Sequence, residues 1–389
     1  MTRFLSIILL ACLSLVLLGC EDGAVAPHSE APSASSEVQD RTDSMPSDPA
    51  SVLSGRPDAA GLMGLKSAHG PSSGFATPLF GLDTAPNGDV LVADAGAGIA
   101  TRSGATDIPF PGVTDMSPLG RRSMWALKGL TGDPGDSTGQ GLYRATNGKT
   151  RLVADLYAFE KENNPDGAPL IDSNPYDVQS LGGRAALVAD AGGNDLLRVD
   201  NQGNVEVLAV LPTEPVPTAN IKGLVGCPNG PPGICGLPPM IPAQAVPTSV
   251  AIGPDGSYYV GELKGFPAPT GESNVWKIAP DASGARCPSP HCRKVFDGGF
   301  TSIIDLRFDD SGTLHVVELE EKSWFAVEAL GPGARSGGTV NACNLSTTSC
   351  TERASGLPIP TAITFGKDGT LWATKNALVP GSATVVKIP

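Results

Sequence analysis

Short apolar runs recur along most of the chain, and they come in pairs. From about residue 74 onward, an apolar run meets a turn containing Gly with Asn or Asp, and a second apolar run then ends in an acid. Gly81–Asp94, Ser249–Glu262 and Ile304–Glu318 carry the pattern most plainly, and Ala362–Lys375 repeats it with a closing lysine. Glycine supplies the positive φ that a tight hairpin turn needs, so each segment predicts a β-hairpin. A fifth copy, Asp177–Asp190, replaces the turn with Leu181-Gly182-Gly183, and a degraded sixth spans Val113–Leu127.

Most copies continue into another strand pair. Asn194–Asp200, for example, turns at Asn201-Gln202-Gly203 into Val205–Val210. Glu318 follows Glu262 by 56 residues and Lys375 follows Glu318 by 57. Four antiparallel strands per unit, in six units, predict an all-β, six-bladed β-propeller over 74–389. After Lys375 one strand remains, Ala383–Ile388, so the last blade is one strand short. An N-terminal strand that completes it would close the ring and hide two edges. The candidate is 51–55, because Val52-Leu53-Ser54-Gly55 resembles Arg353-Ala354-Ser355-Gly356.

The N-terminus reads as an address. Arg3 precedes an apolar stretch from Phe4 to Leu18, long enough for a signal peptide and short for a membrane span. It ends in Leu17-Leu18-Gly19-Cys20, which looks like a bacterial lipobox, although Leu18 is larger than the residue usual there. Cleavage after residue 19 would leave Cys20 at the new N-terminus, anchored to membrane lipid by acyl chains. Residues 20–73 are rich in Ser, Pro, Ala, Asp and Glu and predict a tether with little packed structure. The expected location is a bacterial cell envelope, with the chain facing the periplasm or exterior.

Composition sharpens the picture. The 389 residues contain 48 Gly and 36 Pro, which disfavours long helices. Lys+Arg number 27 against 40 Asp+Glu, a net charge of −13, and loss of Arg3 with the leader makes it −14. That charge repels phosphate backbones, so no nucleic acid is expected as a partner; a monomer is expected. Beyond Cys12 and Cys20, six cysteines form three close pairs: Cys227/Cys235, Cys287/Cys292 and Cys343/Cys350. An even number in an exported chain reads as disulfides. Metal binding, helped by His291, is the alternative, but the chain has only four histidines to add ligands.

Val92-Ala93-Asp94-Ala95-Gly96 and Val188–Asp200 resemble the strand signature of NHL-type propellers. An ordered series of further motifs is similar to the ScyD/ScyE family: Asn174–Asp177, Val246–Val250, Val260–Pro267 and Gly299–Leu306. The likeness runs from about 74 to 389 and is weakest over 131–168. It implies a secreted or surface propeller without an established activity.

Two sets of acids are candidates for chemistry. Asp94, Asp190, Glu262 and Glu318 close equivalent strands, where they are expected to cap the following turns. Asp115, Asp177 and Asp305 begin inner strands where other blades place Ser249 or Ala362, and this asymmetry marks them as possible Ca²⁺ ligands at the channel mouth. No His-Glu-x-x-His motif occurs. Trp125, Trp276, Trp324 and Trp372 read as blade core, with a surface loop after Glu320-Glu321-Lys322 as the alternative for Trp324. The expected function is a lipid-anchored binding or scaffolding module with loops 211–245 and 264–274 as its contact face. The alternative is a Ca²⁺-dependent lactonase-like or ester hydrolase at the central channel.

Overall fold

The computed structural model describes residues 74–120, 122–129 and 139–389. Within them, six antiparallel sheets follow one another in chain order, and each runs outward strand by strand. Blade 1 covers 79–109, blade 2 113–155, blade 3 175–210, blade 4 247–300, blade 5 303–357 and blade 6 363–388. The first strands of neighbouring blades adjoin one another, so they form the inner ring around an axis. This is a six-bladed β-propeller. Blades 1 to 5 have four antiparallel strands each, and blade 6 has three among the described residues. Segment 51–55, expected to complete it, lies outside the described residues, as do the leader, Cys20 and the tether.

The repeated sequence pattern produces this architecture directly. Turn glycines such as Gly256 (φ +78°) and Gly369 (φ +75°) take the left-handed conformation that ends one strand and starts the next. The blades are apolar on both faces because each face packs on a neighbour. Ile99 and Leu91 of blade 1 meet Met116 and Met124 of blade 2, and Trp125 and Leu127 of blade 2 meet Val178 and Leu197 of blade 3. Leu187 and Leu208 of blade 3 pack with Val260 and Trp276 of blade 4. The ring closes where Leu79 N–H donates to Ala377 O at 2.9 Å and Thr361 Oγ1 donates to Leu79 O at 3.0 Å.

All six propeller cysteines are in disulfides: Cys227–Cys235, Cys287–Cys292 and Cys343–Cys350. The last two sit between the third and fourth strands of blades 4 and 5. Just before Cys287, Ala285–Arg286 pairs in parallel with the outer strand of blade 3 and covers its edge. Three intact disulfides place the propeller in an oxidising, extracytoplasmic compartment. Among the described residues, no helix is long and apolar enough to cross a membrane.

Among the described residues, four short α-helices decorate the propeller. Helix α1 (Leu156–Asn163) follows blade 2, with Asp155 accepting from Ala158 N–H as its N-cap. Helices α2 (Ala219–Leu224) and α3 (Pro232–Cys235) lie in the insertion between blades 3 and 4, framed by a hairpin of Glu214–Pro217 with Met240–Ala243. Helix α4 (Trp324–Glu328) lies between the second and third strands of blade 5.

Candidate functional site

The inner strands of blades 1 to 5 share one irregularity. Each carries a β-bulge against its neighbour at the same place, between Leu79 and Leu82, Val113 and Met116, Pro175 and Asp177, Pro247 and Ser249, and Ile303 and Asp305. A bulge re-aims side chains, so that consecutive residues such as Tyr176 and Asp177 both face the axis. Around the axis one layer reads Phe80, Thr114, Tyr176, Thr248, Ile304 and Thr361. The next reads Gly81, Asp115, Asp177, Ser249, Asp305 and Ala362.

The structure brings Asp115, Asp177 and Asp305 together in this waist, and it employs each of them. Asp115 Oδ2 accepts Val178 N–H of blade 3 at 3.0 Å, Asp177 Oδ2 accepts Val250 N–H of blade 4 at 2.6 Å, and Asp305 Oδ2 accepts Ile363 N–H of blade 6 at 2.7 Å. The threonines of the layer above supply alternate joints. Thr114 donates to Pro175 O (2.9 Å) and Thr248 to Ile303 O (2.7 Å). With Thr361 bonding to Leu79, acid and hydroxyl therefore fasten every blade to the next except blade 1, which places Phe80 and Gly81 in these layers. The cavity between them measures about 10 Å³, roughly the space of one water molecule.

A guanidinium completes the waist. Arg307, two residues beyond Asp305, reaches across the channel and donates to Leu82 O at 2.8 Å, with Asp83 Oδ2 3.9 Å away. Its burial disfavours charge, but Asp83, Asp305, Asp177 and Asp115 outweigh this and hold it protonated. Burial, with the charge of Asp177 beside it, pushes the Asp115 carboxyl well above its usual range. Burial likewise raises Asp305 to about 7, against the pull of Arg307. These residues do not suit a Ca²⁺ ion: one oxygen of each acid already accepts a backbone N–H, and a fixed cation stands among them. Among the described residues, no three His, Cys, Asp or Glu side chains converge on one point as metal ligands would.

The two ends of the channel differ. On the side of Phe80 and Tyr176, an apolar plug of Trp324, Phe325 and Val327 from α4 packs with Leu263, Ile304 and Ile221. Trp324 is fully buried and donates from Nε1 to Lys264 O at 2.9 Å, which removes the surface-loop alternative. The insertion 211–245 roofs this plug through Ile221, and Asn220 donates to Ala268 O at 2.8 Å. One side of the expected contact loops is thus spent on covering the plug. Tyr176 Oη and both carboxylate oxygens of Glu328 are buried there without hydrogen-bond partners.

On the other side the channel opens into a funnel of about 790 Å³, bounded by the turns between first and second strands. Its lining mixes Asp83, Asp309 and Asp310 with Arg307, Arg353 and Lys367, and adds Ser117, Gln179 and Thr364. Arg307 lines its wall, and the buried Nε of that side chain has no hydrogen-bond partner. Sequence reading passed over Arg307 and Asp83, yet both occupy the same register, two positions after the waist residue of their blades. Comparing the blades position by position for unmatched charge would have found them.

The strand-closing acids serve local structure. Asp94 accepts Ala76 N–H (2.6 Å) and Gly96 N–H (3.1 Å). Asp190 accepts Ser173 Oγ–H and Asn174 N–H, both at 2.6 Å, and Gly192 N–H at 3.1 Å. Glu262 takes Trp276 Nε1–H at 3.0 Å and pairs with buried Lys264 at 2.7 Å. Glu318 accepts Thr301 N–H (2.6 Å) and Asn341 Nδ2–H (2.7 Å).

Several solved structures are similar to this chain. A gluconolactonase from Xanthomonas campestris is 12% identical, over 82% of this chain and 88% of its own, with a TM-score of 0.49. Regucalcin from Agrobacterium tumefaciens, described as a calcium-binding protein, is 13% identical, over 78% and 84%, with a TM-score of 0.44. Virginiamycin B lyase from Staphylococcus aureus is 14% identical, over 82% and 86%, with a TM-score of 0.41. No protein-family model matches the chain, and no curated protein matches it. The propeller assignment rests on the sheet order, and these distant likenesses carry no activity across.

Proposed function

We propose that this protein is a propeller of the cell envelope, lipid-anchored through Cys20, and that it works as a binding module whose ligand enters the funnel. The observation that carries this reading is how the axis is used. The waist acids are engaged in joining blades and the opposite mouth is filled by α4, while Arg307, whose buried Nε has no hydrogen-bond partner, lines the funnel. A guanidinium N–H prefers a carboxylate or other oxygen acceptor. The mixed charges and hydroxyls above it suit a small, polar, acid-bearing molecule. The lipobox-like leader supports the anchor, the disulfides support the compartment, and the ordered ScyD/ScyE-like motifs fit a surface propeller.

The test is a thermal-shift screen of amino acids, hydroxy acids, sugar acids and neutral sugars on the detergent-solubilised full chain. At least one acid-bearing class should raise Tm, and Arg307→Lys, which keeps the charge but lacks Nε, should lose that shift. A shift that survives Arg307→Lys and vanishes in Tyr176→Phe would place the ligand on the other face and sink the proposal.

A further inference from the structure

The second and third strands of blade 4, Tyr258–Glu262 and Ser273–Ile278, frame a dry cluster of reactive side chains. Lys264 is 1% exposed, Asn274 2% exposed and Glu262 fully buried, so an amine, an amide and a carboxyl meet away from water. A lysine is almost never buried this deeply unless it is paired. Lys264 is paired twice, with Glu262 Oε1 at 2.7 Å and Glu214 Oε2 at 2.8 Å. Those pairs account for its charge but not for the amide beside it.

The amide shares both acceptors. Asn274 Nδ2 donates to Glu214 Oε2 at 3.1 Å and also to Glu262 Oε1. The lysine nitrogen and the amide nitrogen thus rest on the same two oxygens, which holds them side by side. Asn274 Oδ1 faces the other way and accepts Gly298 N–H at 2.7 Å. That bond settles which end of the amide is oxygen, and it places a donor where negative charge on Oδ1 would develop. Trp276 Nε1 donates to Glu262 Oε2 at 3.0 Å and fixes the acid in position.

A nucleophile, a carbonyl, a proton carrier and an oxyanion donor are the parts of an acyl transfer. Lysine attacks only as the free amine, so its proton must first pass to a base. Burial raises the Glu262 carboxyl above its usual range, against the pull of Lys264. A buried carboxylate of this kind accepts a proton readily, because the neutral pair is easier to keep out of water than two ions.

We propose that Lys264 and Asn274 become joined by an isopeptide bond, formed within the folded chain with Glu262 as proton carrier. The Nζ–Cγ bond forms and the Cγ–Nδ2 bond breaks. Of the three protons on the Lys264 ammonium, one stays on the new amide nitrogen and two pass through Glu262 to Nδ2, which leaves as ammonium. No oxidant or cofactor is consumed. The product keeps the existing contacts, with its N–H toward Glu262 and its carbonyl toward Gly298. The bond ties the second strand of blade 4 to the third beside Glu214, which belongs to the insertion hairpin, and unlike the disulfides it survives reductant. It is independent of the funnel.

The experiment is tryptic mapping of the full chain, after reduction, by tandem mass spectrometry. From 223 to 277 the sequence has Lys264 and Lys277 as its only tryptic positions. A bonded Lys264 resists cleavage, so the expected product is one peptide, 223–277, lighter than its sequence by one ammonia. Lys264→Arg and Glu262→Gln should each restore both the full mass and cleavage at 264. Separate peptides 223–264 and 265–277 of full mass from the parent would overturn the proposal, and this result does not depend on how well either variant folds. So would an ammonia loss that persists in Lys264→Arg, which would assign it to succinimide formation at Asn229-Gly230.

Discussion

Asp177 Oδ2 accepts the backbone N–H of Val250 at 2.6 Å, so a carboxylate on the inner strand of blade 3 holds the inner strand of blade 4. Asp305 does the same for blade 6 through Ile363. Removing the acceptor strands a buried N–H, at a cost of about 1–3 kcal/mol. Asp177→Ala and Asp305→Ala should each lower the urea midpoint accordingly, and Asp177→Asn less, because the amide oxygen still accepts. Alanine variants as stable as the parent would show that the joints do not matter.

Gly81 fills the waist position of blade 1 because nothing larger fits. A Cβ there would lie 1.9 Å from Asp115 Oδ1 and 3.0 Å from Asp115 Cα. Gly81→Ala should therefore destabilise by roughly 2 kcal/mol or more through overpacking. Shortening the opposing side chain with Asp115→Ser should recover part of the loss in a double-mutant cycle, whereas strict additivity would deny the contact.

The hairpins and their sixfold recurrence were legible because Asn-Gly and Asp-Gly turns between apolar runs have one common structural solution. The waist was only half legible. Simple alternation puts Tyr176 and Asp177 on opposite faces, and a one-residue bulge that leaves no mark in the sequence turns both to the axis. Asp115, Asp177 and Asp305 stood out as asymmetric, but the N–H groups they accept come from other blades, 58 to 73 residues away. The plug was hidden because α4 interrupts a blade with a short apolar run that has no strand period.

The waist also predicts a pH response. Asp305 has its carboxyl raised from an ordinary 3.8 to about 7, chiefly by burial. A raised acid favours folding fully below its unfolded value, and that contribution is lost as pH rises through the folded value. Asp115 is shifted in the same direction. Thermal stability should thus be greater near pH 5 than near pH 8.5, and Asp305→Asn should narrow the gap. A gap unchanged in that variant would assign the effect to other groups.

Cys343 and Cys350 are seven residues apart and directly opposed across two strands of blade 5. Closing a loop this short constrains the unfolded chain by about 2 kcal/mol. The double alanine variant should lose that amount in urea titrations and keep the fold by circular dichroism. A loss near zero would mean that strand pairing alone sets the register.

The proposed lipid attachment at Cys20 predicts that the chain partitions with membranes. Cys20→Ser should move it to the soluble fraction of lysed envelopes, with the propeller's Tm unchanged. Retention of the variant on membranes would require another means of attachment.

The most direct test of the funnel as the working site is a crystal structure with the compound that gives the largest thermal shift. The account predicts density in the funnel, with an acid group against Arg307 Nε and the remainder near Gln179 and Lys367. Density on the opposite face, against Tyr176 and Glu328, would contradict it.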